Sequence, residues 1–279
     1  MGKALLAFLG ILAVVGGTLG LFWQSSSARR ARAATGAGPN KNDAAQTVAR
    51  RVVCLVSLVI RAKAEQELHR TAVNQASNRL AQSQREWLEG KGLWEVASER
   101  ERQLFRKSMG TWAVQDIADG QWREESMMVL LWAMQAGSNL PPYDTVASES
   151  ELTNSVPTPD QVDRFIAGAT LRSQAEIQKA RDTAEFWLWR ARTTQLEKEG
   201  TKLPKNMTFE QIIHKSAKKG EEDGLFKAID GDFPAFGKAY AKLSDDEWHQ
   251  VMSIAMERLY ALNWLCGYAT DWDKVPTET

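Results

Sequence analysis

Five helix-start signals are spread along the chain, and they constrain its fold more than any other feature. In each, a Ser or Thr is followed three residues later by Glu or Gln, the capping-box pattern in which the two residues satisfy each other's backbone N–H groups. The pairs are Ser98 with Glu101, Thr158 with Gln161, Ser173 with Glu176, Thr208 with Gln211, and Ser244 with Glu247. Alternating strand patterns joined by hairpin turns are essentially missing from the sequence. We therefore predict an all-α fold.

The spacing of apolar residues, glycine and proline predicts where the helices lie. They are expected at 44–88, 99–109, 121–136, 159–167, 174–199, 209–219 and 245–268. Gly137, Gly200 and Gly220 stand where three of these helices need a left-handed closing residue. We expect 137–157 to be a surface connection and 220–243 to be an irregular segment interrupted by glycines. Neither resembles a domain linker. Residues 44–279 are thus predicted to form a single multi-helix globular domain.

An uncharged apolar stretch precedes this domain. Residues 4–23 would cover ~30 Å as a helix, about the thickness of a hydrocarbon core, so 1–23 is predicted to be a transmembrane anchor. The alternative is a cleaved signal sequence, because Lys3 gives a basic start and small residues follow the stretch. The arginines of the Ser-, Ala- and Gly-rich segment 24–43, predicted to be a flexible basic linker, favour a single-pass protein with a cytoplasmic body. Signal cleavage would instead give a secreted or periplasmic body.

Composition narrows the possible partners. Residues 1–43 hold five basic residues against one acidic residue, which leaves 30 basic and 34 acidic residues in the remainder. An acidic body lacks the basic surface that dominates nucleic-acid affinity, so we predict no nucleic-acid partner. Cys54 and Cys266 both lie in apolar runs. They are therefore predicted to be two buried thiols, and no disulfide framework is indicated.

The familiar signatures of catalytic and metal sites are missing from the sequence. A helical metalloprotease site needs two histidines one turn apart, and His69, His214 and His249 have no such neighbours. No Gly-x-Ser-x-Gly segment is present to expose a nucleophilic serine. The glycine-containing segment 231–239 departs from the phosphate-binding loop pattern in its spacing and in its last residue. We predict neither a metal nor a cofactor.

The candidate functional residues are charged and amide side chains inside apolar helices. In one interpretation, Arg123, Arg172 and Arg258 converge on an anionic ligand, because a guanidinium fork suits carboxylate or phosphate. The alternative reading is a set of interhelical ion pairs and hydrogen bonds, with arginine stacked on tryptophan, that fixes how the helices dock. We favour the second, since structural ion pairs are the commoner source of such patterns. The candidate ligand-binding set is Arg123, Glu125, Arg172, Glu257, Arg258 and Asn263.

Several segments carry a family resemblance when they are read in order. WREE with VLLWA, then LRSQAEI, WLWRAR, ERLYALNWL and the terminal DWDKVPTET resemble the bacterial family known as domain of unknown function 4272, over roughly residues 47–279. Its Glu-Arg-x-x-Ala-Leu-Asn-Trp helix and Trp-Asp ending correspond to Glu257, Arg258, Ala261, Leu262, Asn263, Trp264, Trp272 and Asp273. The other structural positions of the motif set are Trp122, Trp132, Ser173 and Glu176. The resemblance implies a helical fold unit and a residue set, and it implies no reaction.

Two functions follow as hypotheses. The first is a non-enzymatic binding or protein-interaction module that contacts the membrane through residues 4–23 and an unknown protein or small molecule through its body. The second is an enzyme or small anionic-ligand receptor with a site built on Arg123, Arg172 and Arg258. The second requires a cavity that two or more of these arginines reach with unpaired donors. A third possibility is an immunity-type or other partner-neutralising protein.

Overall fold

The computed structural model describes residues 41–70, 75–136, 139–204 and 206–278. The predicted membrane segment 4–23, and nearly all of the predicted linker, lie outside these residues. Within the described ranges, no helix combines the length and the apolar character that crossing a membrane requires. The same ranges form nine α-helices and only two strands of two residues each. The prediction of an all-α body is confirmed.

The helices are α1 (Lys41–Leu68), α2 (Gln75–Gly90), α3 (Glu99–Arg106), α4 (Val114–Ala133), α5 (Glu149–Ser155), α6 (Val162–Ala167), α7 (Gln174–Lys198), α8 (Phe209–Glu222) and α9 (Asp245–Leu265). An antiparallel ribbon of β1 (Pro234–Ala235) and β2 (Lys238–Ala239) separates α8 from α9. Short 3₁₀ helices cover Tyr240–Lys242 and Trp272–Lys274.

Four long helices build the core. Helix α4 packs against α1 on one side and against α9 on the other, and α9 also packs against α7. The apolar run in α1 supplies Val52 and Leu55, while α4, α7 and α9 supply Leu130, Leu188 and Leu262, and all five side chains are fully buried. Full burial of such a side chain contributes about 1.5–3 kcal/mol. Apart from Arg172, which precedes α7, the polar residues of the candidate site therefore lie on helices that are already held together by apolar contact.

Four of the five predicted capping boxes are confirmed with both reciprocal hydrogen bonds. They are Ser98 with Glu101, Ser173 with Glu176, Thr208 with Gln211, and Ser244 with Glu247. The fifth pair forms only one of its two hydrogen bonds, from the backbone N–H of Thr158 to Gln161 Oε1 at 3.4 Å, and α6 begins only at Val162, with Gln161 as its N-cap. The hydroxyl of Thr158 donates to Asp160 Oδ1 at 2.7 Å, so it caps no helix.

The predicted helix at 44–88 is wrong in one respect, since it is two helices. Helix α1 ends at Leu68, and the ring of His69 lies with Nε2 3.2 Å from the carbonyl oxygen of Trp112. Helix α2 then packs back on α1, where Gln84 Nε2 donates to the carbonyl oxygen of Ser57 at 2.7 Å. No glycine or proline lies between 44 and 89, so local sequence carried no sign of this break.

Two segments expected to be irregular contain regular structure. The connection 137–157 includes α5, whose N-cap Ser148 accepts a hydrogen bond from the backbone N–H of Glu151. The segment 220–243 contains the end of α8, the β-ribbon and a 3₁₀ helix. The segment 114–120 adds nearly two turns to the start of α4, ahead of its predicted beginning at 121. Each element is short or weakly apolar, so periodicity gives little signal for it.

The predicted closing glycines have different outcomes. Gly200 has φ +68° and follows α7, as predicted. Gly220 lies inside α8, where a Cβ would come within 2.4 Å of the Phe226 ring. The left-handed residue after α8 is Gly224, also at φ +68°. The prediction for Gly220 is therefore wrong, because its small size serves close packing, and Gly137 lies outside the described residues.

Candidate functional site

The periodicity of α9 turns Arg258 towards α4, where the side chain is fully buried. Its Nε donates to Glu125 Oε2 at 2.9 Å, and its Nη1 and Nη2 donate to the carbonyl oxygens of Pro141 at 2.6 Å and Thr145 at 2.9 Å. The guanidinium carbon lies 4.9 Å from the centre of the Tyr143 ring. All three nitrogens of this guanidinium group are thus engaged by the protein itself.

Glu125 extends this contact to a third segment. While Oε2 accepts from Arg258, Oε1 accepts from the backbone N–H of Ala147 at 2.5 Å. Burial raises the pKa of Glu125, and the positive charge of Arg258 and the Ala147 hydrogen bond partly offset that rise. One buried ion pair therefore ties α4 and α9 to the segment that leads to α5.

Arg123 and Glu257 form a second pair across the same two helices. Arg123 Nη1 lies 3.1 Å from Glu257 Oε2, and the Arg123 side chain is 18% exposed. Ser126 Oγ donates to the same carboxylate oxygen at 2.7 Å. The Arg123 guanidinium carbon lies 4.3 Å from the centre of the Tyr260 ring. This pair is more accessible than that of Arg258, yet its carboxylate partner is already present.

Arg172 lies at a different place, where the end of α4 meets the start of α7. Its Nε donates to the carbonyl oxygen of Trp132 at 2.8 Å, and its Nη1 lies 3.4 Å from Glu176 Oε1. The guanidinium carbon is 5.0 Å from the Trp132 ring centre. A cation beside the last carbonyls of a helix is favourable because that end carries partial negative charge. Arg172 contacts neither carboxylate that engages Arg123 and Arg258.

Asn263 joins α9 to α7 and to the C-terminal tail. Its Oδ1 accepts from Arg181 Nε at 2.9 Å, and its Nδ2 donates to the carbonyl oxygen of Pro276 at 2.7 Å. Arg181 in turn holds Glu185 through two hydrogen bonds of 2.5 and 2.6 Å. The Arg181–Glu185 spacing of four residues was visible in the sequence, whereas the contact with Asn263 was not.

The tail motif packs onto the face of α9. Trp272 is buried and meets Trp264 edge-on, with ring centres 5.3 Å apart. Tyr260 Oη donates to the carbonyl oxygen of Trp272. Asp273 Oδ2 accepts from the backbone N–H of Arg100 at 2.9 Å, which reaches the first turn of α3. Among the other motif positions, Trp132 is buried and Trp122 is half-buried against the core.

Besides Arg181, three buried arginines outside the predicted set make equivalent pairs. Arg51 pairs with Glu101, Arg61 Nε with Glu65 Oε1 at 2.8 Å, and Arg190 with Asp232 through two hydrogen bonds of 2.7 Å. The Arg61 pair has helical spacing and could have been found. The other two join residues 50 and 42 positions apart, so no local signal marks them. We call the pairs of Arg51, Arg61, Arg181, Arg190 and Arg258 the buried arginine pairs.

The buried arginine pairs share one chemistry. Each buried arginine pair couples a permanent cation to a carboxylate in a low-dielectric interior, where losing one partner is costly. Within the described ranges, no group of three or more His, Cys, Asp or Glu side chains is placed to hold a metal ion. The arrangement joins α4, α7 and α9 to one another and to the segments beside them.

A cavity of about 310 Å³ lies between α1, α2 and the segment that leads into α6. Its walls are mainly apolar, and Val53, Trp87 and Val162 are among them. As far as the described residues form it, none of Arg123, Arg172 and Arg258 lines this cavity. The cavity and the candidate ligand-binding set are therefore separate places in the fold.

The two cysteines have different environments. Cys54 is buried in α1, with Sγ 3.5 Å from the carbonyl oxygen of Leu93. Burial raises the pKa of its thiol to about 12. Cys266 caps the end of α9 and is partly exposed, so the prediction that both thiols are buried is wrong for Cys266. The apolar run that contains Cys266 ends at the helix terminus, where the chain turns outward at Gly267.

Comparison with known proteins identifies a family and no activity. The profile described as Domain of unknown function (DUF4272) matches residues 33–213. The match ends before α9, so the C-terminal motif of 257–273 lies beyond it. No functionally curated protein and no solved structure gives a significant match. The matched residues span more than half of the chain, and we conclude that the protein belongs to the DUF4272 family.

Proposed function

We propose that this protein is a non-enzymatic interaction module whose helical body is held at a membrane by residues 4–23. One observation carries the proposal: the arginines that most resembled a ligand site are engaged inside the fold. Arg258 is fully buried and meets Glu125 and two backbone carbonyls within 3.0 Å. All three nitrogens of this buried guanidinium group already donate within the fold, so an anion would have to compete with these partners.

The anionic-ligand alternative has weaker support. It needs a cavity that the candidate arginines reach, and the cavity of about 310 Å³ has other walls. Arg123 and Arg172 are the more exposed members of the set, yet each already faces a carboxylate, in Glu257 and Glu176. An incoming anion would have to displace these partners. We therefore propose that the body binds its partner through its surface.

Membrane attachment is tested with the full chain in its own cells. We expect the parent to stay with membranes after an alkaline carbonate wash. Replacing Leu9 and Val14 by arginine places two charges in the apolar stretch, each at about 2.5–3.5 kcal/mol, and should release the protein into the soluble fraction. A parent that is washed off, or that is recovered shortened outside the cytoplasm, would contradict the anchor.

The absence of an anion site is tested by thermal shift with phosphate, dicarboxylates and tricarboxylates. We expect no saturable rise in melting temperature. A saturable rise that Arg172→Gln abolishes would favour the receptor alternative. Arg172 is suited to this test because its side chain is 23% exposed, so its loss leaves no deeply buried orphan charge.

The interaction role itself predicts a stoichiometric cross-linked complex in native membranes, and the recovery of the chain only in uncomplexed form would contradict it.

A further inference from the structure

The cavity between α1 and α2 has the volume and the apolar walls of a small-molecule site. Its volume of about 310 Å³ falls at the lower end of the range of about 300–1,000 Å³ that is typical of such sites. Ile60 on α1 and Leu80 on α2 line it and are 56% and 57% exposed, although large aliphatic side chains are usually buried. Trp87 and Met109 add further apolar wall. An apolar occupant would cover surface that the fold leaves in water.

One wall residue has a spare donor. Arg61 is buried to 1% exposure, its Nε donates to Glu65, and its Nη2 donates to the carbonyl oxygen of Lys107 at 2.8 Å. Its remaining nitrogen, Nη1, has no hydrogen-bond partner anywhere in the described part of the chain. A buried donor without an acceptor is unfavourable, so a ligand that supplies the acceptor would gain binding free energy. Nη1 is itself shielded from solvent. The ligand oxygen would reach it after a side chain of the cavity wall changes its rotamer, a change that binding commonly brings.

The charge balance around Arg61 decides which kind of oxygen fits. The carboxylate of Glu65 is fully buried, pairs with Arg61 and accepts from the backbone N–H of Trp112 at 3.2 Å. The positive charge is thus already neutralised, and a second anion in an apolar cavity would be uncompensated. Two other polar groups of the wall are engaged, since Ser57 Oγ donates to the Val53 carbonyl and Gln84 donates to that of Ser57.

We propose that this cavity binds an alkyl or acyl chain that carries one neutral oxygen acceptor, and that Arg61 Nη1 donates to this oxygen. A fatty alcohol or an acyl ester has this chemistry. The site goes beyond the proposed interaction function, because it involves neither residues 4–23 nor the arginines of the candidate set. It gives the body a small-molecule ligand of defined polarity.

The test uses the full chain and ω-bromodecanol, whose bromine quenches the fluorescence of a tryptophan in contact with it. We expect saturable quenching, and we expect Trp87→Phe to remove most of it because Trp87 lines the cavity. Ala81→Phe fills the cavity and should weaken binding by about tenfold or more, whereas Ala175→Phe, at an exposed alanine of α7, should leave it unchanged. Absence of saturable quenching, or equal binding by Ala81→Phe and the parent, would overturn the site.

Two comparisons test the polar part of the proposal. At neutral pH, decanol should displace the probe at least about tenfold more effectively than decanoate. Arg61→Lys keeps a cation beside Glu65 and removes Nη1, so it should bring the affinity for ω-bromodecanol close to that for bromodecane. Equal competition by decanoate, or an Arg61→Lys protein that folds and still prefers the alcohol to bromodecane, would overturn the role of Arg61. These readouts are separate from the carbonate wash and the anion screen, so a failure here is distinguishable from a failure of the proposed function.

Discussion

Replacing Arg258 by methionine tests whether buried ion pairs hold the helices together. Methionine keeps a similar length and apolar stem and removes the guanidinium group. The change strips Glu125 of its cation and leaves the carbonyl oxygens of Pro141 and Thr145 without their donor. The partners lie on α4 and on the segment after it, so the effect should be felt across the contact between α4 and α9.

The expected magnitude is large on the scale of a domain. Breaking a buried ion pair from one side costs about 3–5 kcal/mol because the remaining charge is uncompensated. A folded domain is stable by only about 5–15 kcal/mol in total. The control is Arg100→Met, because Arg100 is 55% exposed and its partner Asp119 is 37% exposed. An exposed pair of this kind contributes about 0.2–1 kcal/mol.

The cost should depend on pH through Glu125. Burial raises its folded-state pKa above the unfolded value, and removing Arg258 raises the folded-state pKa further. In each protein, at pH values between the unfolded-state pKa and the folded-state pKa of Glu125, the native state binds more protons than the unfolded state. The free energy of unfolding therefore falls as pH rises through this window. The deficit of Arg258→Met relative to the parent should therefore be greatest above the window. It should shrink as pH falls from the folded-state pKa of Glu125 in the variant to that in the parent.

Urea denaturation of the full chain, followed by tryptophan fluorescence at several pH values, measures both effects. We expect Arg258→Met to lose several kcal/mol at neutral pH and Arg100→Met to lose less than about 1 kcal/mol. If Arg258→Met unfolds at the same urea concentration as Arg100→Met, with no change in slope and no pH dependence, the reasoning about the buried pair is refuted.

Three further predictions concern packing, the tail and the thiols. Gly220→Ala should destabilise the protein by about 1–3 kcal/mol through overpacking, whereas Gly90→Ala, with nothing within 4 Å of its added Cβ, should be neutral or stabilising in thermal melts. Asn263→Leu should release the tail and speed its limited proteolysis, since Asn263 Nδ2 holds a tail carbonyl at 2.7 Å, and unchanged cleavage would count against this contact. Cys54 should react with a thiol reagent only on unfolding, because burial raises its pKa to about 12, while Cys266 should react in the folded protein; equal rates in the native state would contradict this.

Helix starts were predictable because their signal is local. The pairs at Ser98, Ser173, Thr208 and Ser244 depend on residues three apart, and all four form. The break after Leu68 has no such signal, since His69 leaves the helix towards a carbonyl 43 positions away. No short window of sequence carries a signal for a tertiary contact between residues so far apart.

In the candidate site, too, local features were predictable and long-range contacts were not. The apolar surroundings of Arg258 in the sequence correctly indicated an unusual arginine, and its spacing with Glu257 placed the two on adjacent faces of α9. The partner of Arg258 is Glu125, 133 positions earlier, and no pattern on α9 points to it. Arg190 and Asp232 were missed for the same reason, because the loop that carries Asp232 has no periodicity. The cavity could not be predicted, since it depends on how α2 folds back on α1.

A double-mutant cycle between Arg258 and Glu125 tests the central claim most directly. Stabilities of the parent, Arg258→Met, Glu125→Leu and the double variant give the coupling energy of the pair. If the pair locks α4 to α9, each single change leaves a buried group without its ionic partner, and the double change removes both members of the pair together. The coupling energy should then be at least about 2 kcal/mol. Single effects that add to within about 0.5 kcal/mol would show that the two side chains act independently, and would contradict the account.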